Sequence, residues 1–242
     1  MERLQKILSY SNVASRRKSE KLILEKRVKV NGKLVTKLGV KVSKKDIILV
    51  DDQIIKNSEN CYYLINKPSG CISTVKDEKN RPTVIDLIKD TEKKRIYPVG
   101  RLDFNTTGLL LITNDGQLTK KLTHPSSLIE KEYHVKINYC LSSLELKKLQ
   151  QGVIIDENYL SVPKKIKILK KRLLPKPSTW LQIIITEGKN HQIRKMMEKL
   201  GFHILKLIRY RYAFLTIKGI KKGQYRILKI HEIKKLKILK YF

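Results

Sequence analysis

This chain has few acidic residues, few cysteines and no long apolar run, and each shortage excludes something. Its three cysteines, Cys61, Cys71 and Cys140, are widely spaced and form no CxxC pair. They therefore offer neither a disulfide framework nor a zinc site, and they fit a reducing compartment. No apolar stretch is as long as a membrane span. The N-terminus opens on a charged, helix-periodic pattern from Glu2 rather than a signal or transit peptide. A cytoplasmic location with no membrane partner is the expectation. There is no internal repeat, and the Lys/Ile-rich C-terminal tail is the one compositionally biased stretch.

The shortage of acid is the most informative. In 242 residues, 22 Asp and Glu face 53 Lys and Arg, for a formal net charge of +31. Part of that excess follows the Lys, Ile and Asn usage of AT-rich coding. The remainder attracts polyanions over long range and resists packing against itself, which favours a monomer whose partner is a nucleic acid. The length suits a small domain followed by a larger one.

Residues 1–56 read as the small domain. Leu4, Ile7 and Leu8 mark a first helix, and Ser15 is placed to cap a second over residues 16–26. Alternating apolar residues flank Asn31-Gly32, a strong hairpin signal because both central turn positions need positive φ. A strand at 46–50 closes the unit, and polar residues 57–60 read as a linker. Residues 61–242 mix strands (62–66, 108–113, 133–137, 181–186, 203–209) with helices (83–89, 116–122, 142–151, 191–200). The expected class is α+β on a mixed or antiparallel sheet.

Arg16, Arg17 and Lys18 crowd the start of the second helix, while Arg27, Lys29 and Lys33 sit on or beside the hairpin. Cations at a helix N-terminus are unfavourable unless an anion arrives, although a plain solvated face accounts for any one of them. Ala14-Ser-Arg-Arg-Lys18 with Arg27-Val-Lys-Val-Asn-Gly32 resembles the small RNA-binding domain named after ribosomal protein S4. The resemblance implies that these six side chains hold folded RNA.

In the larger domain, residues 97–116 place a short polar loop before an apolar run that must be a buried strand. Taken alone, Asp103 in that loop reads as a loop cap or a partner for Arg101, and Asp115 as an Asx turn that starts the next helix. Gly100-Arg-Leu-Asp103 with Thr107-Gly-Leu-Leu-Leu111 and Thr113-Asn-Asp-Gly116 resembles the signature of pseudouridine synthases of the ribosomal small- and large-subunit branch. Other fragments follow that family's order. They are Leu64-Ile-Asn-Lys-Pro-Ser-Gly70, Arg81-Pro-Thr-Val84, His124-Pro125, Glu130-Lys-Glu-Tyr-His-Val135, the stretch 186–196 and Leu207-Ile-Arg-Tyr-Arg-Tyr212.

The resemblance implies a specific chemistry. A uridine leaves its stack, the bond from N1 to the ribose breaks, and the base rejoins through C5. Neither a redox change nor a group donor is needed, so no cofactor and no metal are expected. Asp103 becomes the catalytic carboxylate, as nucleophile or as base. Tyr133 becomes the stacking platform, where pattern alone reads a core ring. Arg194 becomes the partner of Asp103, where pattern alone reads a phosphate- or solvent-facing cation. Arg101, Lys67, Asn190 and Leu207 are assigned to substrate binding, although Leu207 also reads as plain core. His191 is taken as helix-start polarity and left outside the site. Ala213 stands where the family has glycine, at a cost of about 1 kcal/mol if φ is positive there. Residues 209–219 resemble the large-subunit enzymes more, so the expected partner is large-subunit ribosomal RNA or a ribosomal-subunit assembly intermediate. The same activity on small-subunit RNA, or a non-catalytic assembly factor, are the alternatives.

Overall fold

In the computed structural model, two apolar clusters organise the chain, which is described over residues 1–43, 45–55, 59–89 and 94–239. Of the expected linker 57–60, Asn57 and Ser58 lie outside the described residues. The chain divides into two compact units. The first comprises Met1–Cys61 with Asp90–Ile96 and Asn114–Gly116. This adds two short stretches of later chain that the linear boundary missed. The side chain of Asn114 shows why one of them belongs. Its Oδ1 accepts from the Cys61 N–H at 2.8 Å, and its Nδ2 donates to the Glu59 carbonyl at 3.0 Å.

The first unit contains helices α1 (Leu4–Tyr10) and α2 (Arg16–Leu24) beside a four-stranded sheet. The Ser15 hydroxyl caps α2 by accepting from the Lys18 N–H at 3.1 Å. Helix α2 stops short of residue 26 because Lys26 turns left-handed, at φ +58. Strands β1 (Val28–Val30) and β2 (Lys33–Leu34) form the expected hairpin, with Asn31 at φ +49 and Gly32 at φ +78. Strands β3 (Ile48–Val50) and β4 (Gln53–Ile54) complete the sheet. Leu4, Leu8, Leu22, Ile23, Val28 and Ile48 fill its core.

The second unit is built on a nine-stranded sheet, so the chain is α+β as expected. Its main strands are β5 (Tyr62–Lys67), β6 (Thr107–Thr113), β7 (Lys131–Ile137), β8 (Lys165–Arg172), β9 (Ser178–Ile185), β10 (Ile204–Tyr212) and β11 (Tyr225–Ile227). Their order is β8-β9-β7-β10-β6-β5-β11. Strand β6 is interior to the sheet, and its apolar residues Leu109–Ile112 are buried on both faces, as an uninterrupted apolar run requires. Leu109 and Leu111 pack with Leu118 and Leu122 of α3 (Gly116–Thr123) and Leu236 of α6 (Ile230–Ile238). The Lys/Ile-rich tail thus supplies a helix.

Helix α4 (Ser143–Gln151) begins with a full capping box between Ser142 and Glu145. Helix α5 (Gln192–Lys199) lies against the short strand Val153–Ile155. The helix expected over 83–89 does not form. Thr83 instead pairs with Ile72 in an isolated bridge, and its N–H and hydroxyl both donate to the Asp86 carboxylate at 2.8 and 2.9 Å. That local turn competes successfully with a helix.

Strands β10 and β6 form the one parallel pair of this sheet among the described residues, matching Ile208 with Thr107 and Arg209 with Gly108. Glycine is required at 108, where φ is +110 and a Cβ would sit 2.3 Å from the Arg209 carbonyl oxygen. Among the described residues, no helix is long and apolar enough to cross a membrane.

Candidate active site

The loop that enters β6 is fastened from several sides. Gly100 opens it at φ +73. The Ser73 hydroxyl donates to the Leu102 carbonyl at 2.8 Å and accepts from the Leu102 N–H at 3.1 Å. The Gly70 N–H donates to the Phe104 carbonyl at 3.1 Å. Beneath the loop lies Lys67, the last residue of β5, which is 0% exposed. Its Nζ donates to the carbonyls of Pro68, Phe104 and Thr106 at 3.0, 3.2 and 2.9 Å. The expectation that Lys67 contacts substrate is therefore corrected: it is an internal strut. These carbonyls need a donor once buried, and the ammonium supplies one to each. Burial pushes its pKa down to about 8; the nearby Cys71 thiol and Asp103 carboxylate oppose that shift, and Arg209 adds to it.

Asp103 rises from this clamped backbone with its side chain 36% exposed. Arg194, on the first turn of α5, brings Nε to 3.4 Å from Asp103 Oδ2. Its Nη2 donates to Thr106 Oγ1 at 3.1 Å, and that hydroxyl in turn donates to Asp103 Oδ2 at 3.3 Å. The Arg194 assignment thus meets its geometric requirement, and Thr106 joins the pair as a bridge. His191, which the sequence pattern places outside the site, brings its Nε2 to 3.4 Å from Asp103 Oδ1. The residue precedes α5 at φ +52, a conformation no spacing rule announces. Two basic side chains therefore flank one carboxylate.

The carboxylate faces a cleft of about 310 Å³. Of the expected site residues, Arg101, Asp103, Tyr133, Arg194 and Leu207 line it. Lys67 and Asn190 do not; Asn190 is exposed on the loop before α5 and meets the cleft nowhere. The cleft also contains Lys131 and Arg209, which the sequence reading did not single out. The Thr186–Lys189 rim is braced by Glu187, whose carboxylate accepts from the Tyr159 hydroxyl and from Gln192 Nε2.

The six cations of the first unit fall into two groups. Arg16, Arg17, Lys18 and Lys33 are exposed and enter no ion pair among the described residues. Arg27 grips Asp51 with Nε and Nη2 at 2.7 and 2.5 Å, and Lys29 Nζ lies 2.6 Å from Asp52. The first group is open to phosphate, whereas the second must exchange a carboxylate for one.

Two family models match separate segments of the chain. Residues 61–199 match the family model described as RNA pseudouridylate synthase, and residues 2–48 match the S4 domain. The chain is 45% identical to the ribosomal large subunit pseudouridine synthase B of Bacillus subtilis (strain 168), over 99% of this chain and 97% of that protein. It is 36% identical to the protein of the same name from Yersinia pestis, over 92% of this chain and 71% of that one. A crystal structure of a pseudouridylate synthase superposes with a TM-score of 0.66 at 28% identity, covering 98% of this chain and 100% of that chain.

Proposed function

We propose a substrate and a set of residue roles for this chain, which belongs to the RNA pseudouridylate synthase family. As a member it is an RNA-modifying isomerase, and the S4 domain gives it an RNA-binding module. The substrate we infer is a uridine in large-subunit ribosomal RNA, following the relatives that bear that name. The enzyme acts as a cytoplasmic monomer on this RNA, free or within a ribosomal-subunit assembly intermediate.

One observation carries the residue roles. Asp103 stands on a backbone held by Lys67, Ser73 and Gly70, points into the cleft, and is flanked by Arg194 and His191. In this reading Asp103 acts at the ribose while the N1–C1′ bond breaks, as nucleophile or as base. Arg194 and Thr106 hold its carboxylate in one orientation. Tyr133, almost fully buried on β7, presents its ring to the base, and Leu207 forms an apolar wall beside it. The C5–C1′ bond then forms, C5 gives up its proton and N1 gains one. Arg101, exposed at the lip, meets the RNA as the uridine swings in. Arg16, Arg17, Lys18 and Lys33 hold the surrounding RNA, and Arg27 and Lys29 join them when phosphate displaces Asp51 and Asp52.

Pseudouridine mapping of ribosomal RNA from cells with and without the gene tests the substrate. One large-subunit position should lose its modification in the deletion strain. A position lost from the small-subunit RNA instead would overturn the substrate, and no lost position would overturn both substrate and activity.

A further inference from the structure

We propose that Lys131 and Arg209 form a second cationic contact in the cleft, separate from the Asp103–Arg194 pair, and that together they receive an oxygen of the substrate nucleotide. This rests on the reading that the cleft binds a uridine of RNA.

Both residues line the cleft. Arg209, on β10, is 3% exposed. Its Nε donates to the Leu109 carbonyl at 2.7 Å, while Nη2 is buried and meets no acceptor. Lys131 opens β7, and its Nζ donates to the carbonyls of Ile129 and Thr186 at 3.0 and 2.8 Å, which leaves one of three N–H groups over. The two cations share a wall. Lys131 Nζ lies 5.9 Å and Arg209 Cζ 5.2 Å from the centre of the Tyr212 ring. Neither forms an ion pair among the described residues.

Fold stability does not account for this arrangement. A buried guanidinium and a half-buried ammonium beside one ring repel each other, and each loses hydration without gaining a carboxylate. The strain is visible at Lys131, whose ammonium is driven down to about 8 by burial and by Arg209, with Glu187 opposing. That carboxylate is itself engaged by Tyr159 and Gln192. Arg194 differs, because its donors already meet Asp103 and Thr106. A buried donor without an acceptor costs roughly 1–3 kcal/mol, which an incoming oxygen would recover.

The reaction supplies such an oxygen. When N1–C1′ breaks, the electron pair stays with the base, and its charge spreads onto the uracil carbonyl oxygens until C5 attacks C1′. Preorganised donors aimed at developing charge stabilise it most where water is excluded. A phosphate oxygen flanking the uridine offers the same chemistry to the same donors.

The test uses the full chain, with large-subunit rRNA transcribed with tritium at uracil C5. Release of tritium reports turnover. Arg209→Gln should lower the single-turnover rate by about 10²–10³-fold, with Lys131→Met falling in the same direction. RNA affinity should stay near wild type while the unfolding midpoint falls, because the Leu109, Ile129 and Thr186 carbonyls lose a donor. Rates are compared where each variant is folded, and Arg209→Lys should recover part of the rate. Transcripts with a phosphorothioate 5′ to every uridine separate the two oxygens. A thio effect that disappears in Arg209→Gln assigns the phosphate, whereas a response equal in both proteins assigns the base. Wild-type rates in both Arg209→Gln and Lys131→Met would overturn the proposal, as would losses matched by equal losses of RNA affinity. If Arg209→Gln does not fold, Lys131→Met and Arg209→Lys decide alone. A wild-type protein that releases no tritium would overturn the functional reading itself.

Discussion

The inward cations of the second unit and the exposed cations of the first are held in opposite ways. In the first, cations stand in water, either alone like Arg16, Arg17 and Lys18 or beside exposed acids like Arg27 with Asp51. In the second, Lys67, Lys131 and Arg209 are turned inward and bonded to backbone carbonyls, without a carboxylate partner among the described residues. Exposed charges are screened and exchange partners easily, which suits holding an RNA of variable contour. Inward charges are fixed in position and expensive to disturb, which suits a site that must present one geometry. One sequence-wide excess of lysine and arginine thus serves two purposes, decided by local burial.

The largest expected effect tests whether the second unit alone carries the chemistry. Asp103→Asn should reduce pseudouridine formation by at least about 10²–10⁴-fold while RNA affinity stays within a few-fold, read by tritium release and filter binding. Retained turnover would remove Asp103 from its role. Next, Lys67→Met should lower stability by about 2–4 kcal/mol, because three carbonyls lose their donor, whereas Arg27→Met should change the unfolding free energy far less. Equal losses in chemical denaturation would erase the distinction between the units. Replacing Arg16, Arg17 and Lys18 together with Ala should weaken RNA binding and flatten its log–log salt dependence by roughly 2–3. An unchanged slope would show that these cations stay in solvent.

The comparison also has a pH signature. The folded pKa of Lys67 lies near 8, below its unfolded value near 10.5. Below about pH 8 both states hold the proton, so the penalty for the buried charge is present in full. Between about 8 and 10.5 the unfolded chain holds more protons, and stability rises with pH. Wild type should therefore gain stability relative to Lys67→Met across that window. A gap that narrows instead would contradict the buried charge. The smallest effect is Ala213→Gly. Ala213 has φ +52, so the family's glycine should stabilise the fold by about 1 kcal/mol in thermal unfolding. A loss of stability would show that the Ala213 methyl, packed against the apolar cluster of the second unit, matters more than its backbone strain.

What the sequence disclosed follows from local physics. The Asn31-Gly32 hairpin, the Ser15 cap and the buried run 109–112 are each set by a few neighbouring residues, and all three formed. The Asp103–Arg194 pair was legible only through resemblance, since 91 positions separate its members. Lys67 was misassigned because a lysine at a strand end looks the same whether it reaches outward or under a loop. His191 and Arg209 were missed because a left-handed backbone and a buried guanidinium nitrogen without an acceptor leave no periodic trace. The helix expected over 83–89 failed because Asp86 offered Thr83 a better local partner.

The parallel pairing of β10 with β6 bears on how the protein reaches its native state. Arg209 and the Leu109 carbonyl that it holds are 100 positions apart. Closing so long a loop is entropically demanding, and pairings between distant segments are slow to form. The carboxylate of Asp103 and the donors of Arg209 come to line one cleft only through that closure. We therefore expect refolding to produce RNA affinity before turnover, because the helix and hairpin that bear Arg16, Arg17, Lys18 and Lys33 are short-range and can form while the cleft is still open. Stopped-flow binding compared with recovery of activity would show the order, and Gly108→Ala, which sets a Cβ against the Arg209 backbone, should block recovery of activity while leaving the first event in place.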